Sequence, residues 1–182
     1  VYARALFETF GCDAATINPY LSTALVVQFI KYADRGILIL CRTSNAGALD
    51  FQDLRCEAIS PTPGNKSGAL PLFELVAQRA REWNKYGNVG LVVGATYPEE
   101  LKKVRSICPE MCLLIPGIGA QGGDLASTVS YGVDAQGEKA IINVSRQILY
   151  ASKEKDFAQA ARNMAEKIRK QINDYRNKGR GH

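Results

Sequence analysis

The residues best suited to chemistry lie in the run Pro116-Gly117-Ile118-Gly119-Ala120-Gln121-Gly122-Gly123-Asp124, where glycines at 117, 119 and 122 spell G-x-G-x-x-G between an apolar stretch and a helical pattern. Glycine at such a junction lets the backbone turn sharply and bring its N–H groups close to an anion, which the dipole of the next helix then favours. The following apolar stretch, Lys139 to Val144, ends in Ser145-Arg146. A guanidinium is a permanent cation whose forked donors suit phosphate oxygens. Loop and arginine together therefore suggest a phosphate site.

Two folds offer such a site. A dinucleotide fold would require an acidic residue at the end of the strand after the glycine loop, to hold a ribose. This sequence has Ser145-Arg146 there, and its glycine loop comes after three strand–helix units instead of opening the domain. A (β/α)8 TIM barrel commonly builds its phosphate site from the loops after strands seven and eight. Counting back from the last two strands then makes Asp13 to Asn18 strand four, so that residues 1–182 form a single partial barrel domain supplying strands 4 to 8. The plainest alternative is a Gly-rich turn that only packs a helix on a sheet.

The elements that must position these groups alternate along the chain. Apolar runs at Asp13–Asn18, Gly36–Cys41, Val89–Val93, Met111–Ile115 and Lys139–Val144 lack clean alternation and are expected to be parallel strands covered on both faces. Helices are expected from Ser22 or Thr23 to Tyr32, from Pro71 to Tyr86, and from Pro98 to just before Pro109. The class is α/β with a parallel sheet. Residues 2–10 read as a helix with Tyr2, Leu6 and Phe10 on one face and Gly11 as its stop, with the fold expected to begin upstream of Val1. One long connection, Asn45 to Ala69, is rich in Gly, Pro, Ser and Asn, as functional or disordered loops are.

At 182 residues, 46% apolar and 23% charged, the chain suits one ordinary domain and argues against disordered, collagen-like and membrane-spanning classes. The net charge of +5 is all in the tail: residues 1–150 hold 14 Lys/Arg against 14 Asp/Glu, and residues 151–182 hold 9 against 4. There Phe157, Ala161, Met164, Ile168, Ile172 and Tyr175 recur at helical spacing, so the basic residues read as a solvated face and no nucleic-acid or membrane partner is expected. Five cysteines, Cys12, Cys41, Cys56, Cys108 and Cys112, form no CxxC pair and suggest neither a metal site nor a disulfide framework; Cys12 and Cys41 read as small buried hydrophobes. The only histidine, His182, is the last residue and reads as a terminal residue without a chemical role, which leaves no Ser-His-Asp or Cys-His machinery. The opening residues carry no secretory pattern, so a cytoplasmic setting is expected.

The segments Cys12-Asp13-Ala14-Ala15-Thr16-Ile17-Asn18-Pro19-Tyr20, Leu40-Cys41-Arg42-Thr43-Ser44-Asn45, Asn88 through Thr96, and Pro116 through Asp124 resemble, in that order, the orotidine 5'-monophosphate decarboxylase family. The resemblance covers nearly the whole chain. It implies a homodimeric barrel, free of cofactor and metal, that removes carbon dioxide from a nucleotide monophosphate substrate. By that similarity Ser44 meets the amide edge of the pyrimidine, Pro116 begins the loop lining the base, Gln121 reaches between base and phosphate, and Arg146 holds the phosphate. Backbone N–H groups of Gly117, Gly119, Gly122 and Gly123 and around Ser145 would complete the anion site. The family's catalytic Asp-x-Lys-x-x-Asp segment has no counterpart here, so the catalytic residues are expected upstream of Val1 and none in this chain. A nucleotide- or sugar-phosphate-binding module, or an inactive subunit with the same barrel, is the alternative. A metal-dependent sugar-phosphate lyase would need acidic ligands at strand ends, which are absent from the sequence there.

Overall fold

A computed structural model describes residues 1–57, 68–119 and 121–178. His182, Ala120, the middle of the Asn45–Ala69 connection and the side chain of Ser22, read above as a possible cap, lie outside what is described. The strands are β1 (Ala14–Ile17), β2 (Gly36–Arg42), β3 (Arg55–Cys56), β4 (Leu70–Pro71), β5 (Val89–Val93), β6 (Leu113–Ile115) and β7 (Ala140–Ile142). Five of them form one parallel sheet in the order β1-β2-β5-β6-β7, with Ala15 beside Ile37, Leu91 beside Leu113 and Ile115 beside Ile142. That single progression along the sheet has no point where strand order reverses, and such a reversal is what a dinucleotide fold needs to open its ligand crevice. The long connection adds an antiparallel ribbon, β3 with β4, that the sequence pattern does not reveal.

The helices are α1 (Tyr2–Arg4), α2 (Ser22–Ile30), α3 (Leu72–Trp83), α4 (Pro98–Ile107), α5 (Leu125–Gly132), α6 (Arg146–Leu149) and α7 (Phe157–Lys178). Their ends follow from local chemistry. Pro71 precedes α3 and Pro98 opens α4, where a missing N–H costs nothing. The Asp124 carboxylate caps α5 by accepting from the Ser127 N–H at 2.7 Å, a hydrogen bond that holds its pKa below the usual carboxylate range.

Two expectations need correction. The first helix buries Ala3 and Phe7, whereas Tyr2 and Phe10 are exposed. From Ala5 to Thr9 the chain winds as a π-helix, with the Phe10 N–H bonded to the Ala5 carbonyl, so the face drifts from α spacing. Phe7 anchors the buried side, its ring 6.0 Å from Phe29 and 5.0 Å from Tyr32. Second, the sheet is not covered on both faces. Ile37, Ile39, Leu91, Leu113 and Ile115 are buried with Phe29, Phe73, Ala77, Leu101 and Val104 of the helices, each large side chain contributing about 1.5–3 kcal/mol. On the other face Thr16 is exposed, Leu38, Leu40 and Leu114 are half-buried, and Ile141 keeps 50% of its surface, with no helical layer over them among the described residues.

In α7, Ala161, Met164, Ile168, Ile172 and Tyr175 lie on the packed side, while Arg162, Lys167, Arg169 and Lys170 are exposed. Phe157, in the first turn, stays exposed. Cys41 and Cys108 are buried, and burial pushes the Cys108 thiol up to about 11 and Cys41 higher still. Cys12, expected to be buried, is half-buried. No described helix is long and apolar enough to cross a membrane.

Candidate functional site

Adjacent strands deliver their ends to one place. The Ala95 N–H donates to the Pro116 carbonyl at 2.8 Å and the Asn143 N–H to the Ile115 carbonyl at 3.0 Å, so the exits of β5, β6 and β7 are fastened side by side. Past Pro116 the chain turns at Gly117, whose φ of +112° is a conformation L side chains rarely adopt. The turn then folds on itself: the Gly123 N–H donates to the Gly117 carbonyl and the Gly122 N–H to the Gly119 carbonyl. A Cβ on Gly123 would lie 2.7 Å from the Gly117 oxygen and 2.8 Å from the Ala95 Cβ, so the closure needs glycine for space.

Between this turn and the start of α6 lies a cleft of about 170 Å³ lined by Pro116, Gly117, Ile118, Gln121, Asn143, Ser145 and Arg146. Arg146 is exposed at its edge and makes no ion pair or side-chain hydrogen bond among the described residues. None of the lining residues is Asp, Glu, Lys or His, so the cleft presents one cation, two side-chain amides and the amides of the turn. That donor-rich surface suits an anion.

Ser44 reaches the same place from the end of β2. Its hydroxyl donates to Gln121 Oε1 at 3.1 Å, across 77 residues of sequence, and the Thr96 hydroxyl donates to the Ser44 carbonyl at 3.0 Å. Gly94 must be glycine for this, since a Cβ there would sit 2.6 Å from the Ser44 Cα.

Pro116, Gly117, Gln121, Ser145 and Arg146 thus share one cleft, and Ser44 joins it through Gln121. Gly119, Gly122 and Gly123 are not among its lining residues; the N–H groups of Gly122 and Gly123 close the turn, and Gly119 backs onto the Gln147 side chain. Asn143 is the lining residue that sequence reasoning missed. Its parity with Ile141, two residues earlier on the open face, was the available signal.

The profile of the orotidine 5'-phosphate decarboxylase / HUMPS family matches residues 2–164. The chain belongs to that family. It is 51% identical over 175 residues to an orotidine 5'-phosphate decarboxylase of Dehalococcoides mccartyi, covering 96% of this chain and 62% of that protein. A second relative of the same name, from Cupriavidus necator, is 50% identical over 176 residues, covering 96% and 61%. The chain therefore spans about three fifths of the length of these family members. Among solved structures, Leishmania donovani OMP decarboxylase superposes with a TM-score of 0.76 at 37% identity, over 96% of this chain and 62% of that one. Leishmania donovani UMP synthase gives 0.79 at 39%, over 96% and 36%.

Proposed function

We propose that this protein decarboxylates orotidine 5'-monophosphate to uridine 5'-monophosphate in de novo pyrimidine synthesis, and that the chain carries the phosphate- and base-binding half of a (β/α)8 barrel as its strands four to eight. The observation that carries this reading is the convergence of the Pro116–Gly123 turn with Arg146 in a cleft at the carboxyl ends of two neighbouring parallel strands, where barrel enzymes hold phosphate. The strictly sequential strand order and the uncovered face support the barrel assignment, because such a parallel sheet closes on itself when further strands join its two edges.

In this reading the Arg146 guanidinium and the backbone amides of Gly117, Ile118 and Ser145, which line the cleft, take the 5'-phosphate. Pro116 borders the base, Ser44 reads its amide edge, and Gln121 spans the two. The working form is a cytoplasmic homodimer that uses neither metal nor cofactor. The acid–base groups stand on strands other than these five, in keeping with a cleft lined by no carboxylate, lysine or histidine.

That same lining favours one alternative, a nucleotide-binding module without turnover. Titration with uridine 5'-monophosphate alongside an orotidine 5'-monophosphate turnover assay separates them: binding with turnover is expected, binding without it supports the module, and no binding overturns both.

A further inference from the structure

Arg42 is the largest fully buried side chain among the described residues, although it ends β2 one residue from the chain's exit towards the cleft. A guanidinium is costly to bury unless its donors are met. Here its Nη2 donates to Asp53 Oδ2 at 3.1 Å and its Nη1 to the Thr43 carbonyl at 3.1 Å, while its Nε stands 2.8 Å from Asp53 Oδ1 as an ion pair without hydrogen-bond geometry. Its guanidinium carbon lies over the Tyr97 ring, 3.8 Å from the centroid. Asp53 lies eleven residues along the chain from Arg42, and the 3₁₀ turn Ala46–Asp50 between them brings it back.

Its neighbour Gln52 grips the same strand end. The Thr43 N–H donates to Gln52 Oε1 at 2.8 Å, Gln52 Nε2 donates to the Thr43 hydroxyl at 2.9 Å, and the Phe73 N–H at the start of α3 donates to the Gln52 carbonyl. Tyr97 closes the other side, on the β5–α4 loop whose Thr96 holds the Ser44 carbonyl.

We infer that the Arg42–Asp53–Tyr97 stack is a positioning device that fixes Ser44 for selection of the nucleobase, a role that rests on the nucleotide reading above. The stack holds the Thr43 carbonyl just before Ser44, Thr96 beside Tyr97 holds the Ser44 carbonyl, and Ser44 in turn holds Gln121. Arg42 is buried and the Asp53 side chain keeps 30% of its surface; ion pairs drawn out of water are often exchangeable for apolar residues without loss of stability, so support of the fold alone does not explain a charged pair here. Held between two loops, the pair sets where the Ser44 hydroxyl stands without touching ligand. Base recognition is then sensitive to the stack, and phosphate recognition is not.

The test measures dissociation constants for uridine 5'-monophosphate and for ribose 5-phosphate, which lacks the base, with the unaltered protein, Arg42→Met, Arg42→Lys and the apolar pair Arg42→Met/Asp53→Leu. The expected result is at least a tenfold loss for the nucleotide in Arg42→Met and in the apolar pair, with ribose 5-phosphate changed less than twofold. Arg42→Lys, which keeps the charge but not the flat fork, should fall between. Equal weakening of both ligands, or nucleotide affinity unchanged in any folded variant, overturns the inference. Should Arg42→Met fail to fold, Tyr97→Leu, which removes the stacking surface and leaves the ion pair, must show the same selective loss in smaller measure, or the inference falls. If the unaltered protein binds neither ligand, the nucleotide reading itself fails and takes this inference with it.

Discussion

At the amino-terminal ends of the strands, Arg105 is surrounded by carbonyl oxygens: it donates to those of Cys108, Pro109, Met111, Gly132 and Lys139. At the carboxyl ends, Arg146 stands at the edge of a cleft with no side-chain partner among the described residues. The two arginines are chemically identical, and the difference lies in what has already used their donors. Arg105 joins the end of α4, the end of α5 and the starts of β6 and β7, so its hydrogen-bonding capacity belongs to the fold. Burial lowers its pKa, with Asp134 and two neighbouring thiols acting the other way. Arg146 makes no such bonds among the described residues, and in the proposed function its donors take the substrate's phosphate. Barrel proteins divide their two faces in this manner, stability at one end and ligand at the other.

Replacing Arg105 with methionine should separate the two ends most sharply. It orphans several carbonyls and should destabilise the protein by about 3 kcal/mol or more in urea unfolding, since each unmet buried acceptor costs about 1–3 kcal/mol. A loss below about 1 kcal/mol would break the contrast. Arg146→Ala should do the opposite: uridine 5'-monophosphate affinity falls by roughly 10- to 100-fold by titration calorimetry, the worth of a charge-assisted hydrogen bond, while unfolding shifts by less than about 0.5 kcal/mol.

Asp124→Ala should cost about 1 kcal/mol by removing the α5 cap. Because the native pKa of Asp124 lies below its ordinary value, the cap's contribution is complete above the ordinary carboxylate range and fades as pH falls through the lowered value. The stability difference between Asp124→Ala and the unaltered protein should therefore shrink in acid, which unfolding curves at several pH values would show. The smallest effect concerns the thiols. At pH 8 and native conditions, an alkylating reagent followed by mass spectrometry should label half-buried Cys12 and Cys56 before Cys41 and Cys108, whose burial keeps them protonated.

Much of the sheet was legible beforehand because parallel strands announce themselves as short apolar runs between Gly and Pro. Val89–Val93 matches its predicted bounds, and β6 and β7 are shorter than read because their outer residues pass into the turns. The glycine turn and Arg146 were visible as residue types, and their placement in one cleft follows from β6 and β7 being neighbours. Asn143 was hidden inside an apolar run, where only the side it faces distinguishes it from a core position. Asp53 was hidden by distance along the chain, eleven residues from the arginine it meets.

Local chemistry written in the chain determined where strands and helices start and stop, which turn needs glycine, and which family's pattern the segments follow, because capping, turn geometry and apolar spacing act over a few residues. Only the tertiary structure decided that helices cover one face of the sheet, that Ser44 touches Gln121, and that Arg105 and Arg42 are consumed by the fold while Arg146 has no side-chain partner among the described residues. Those outcomes depend on which carbonyls and carboxylates arrive from distant parts of the chain, and a guanidinium's role is set by the acceptors that reach it.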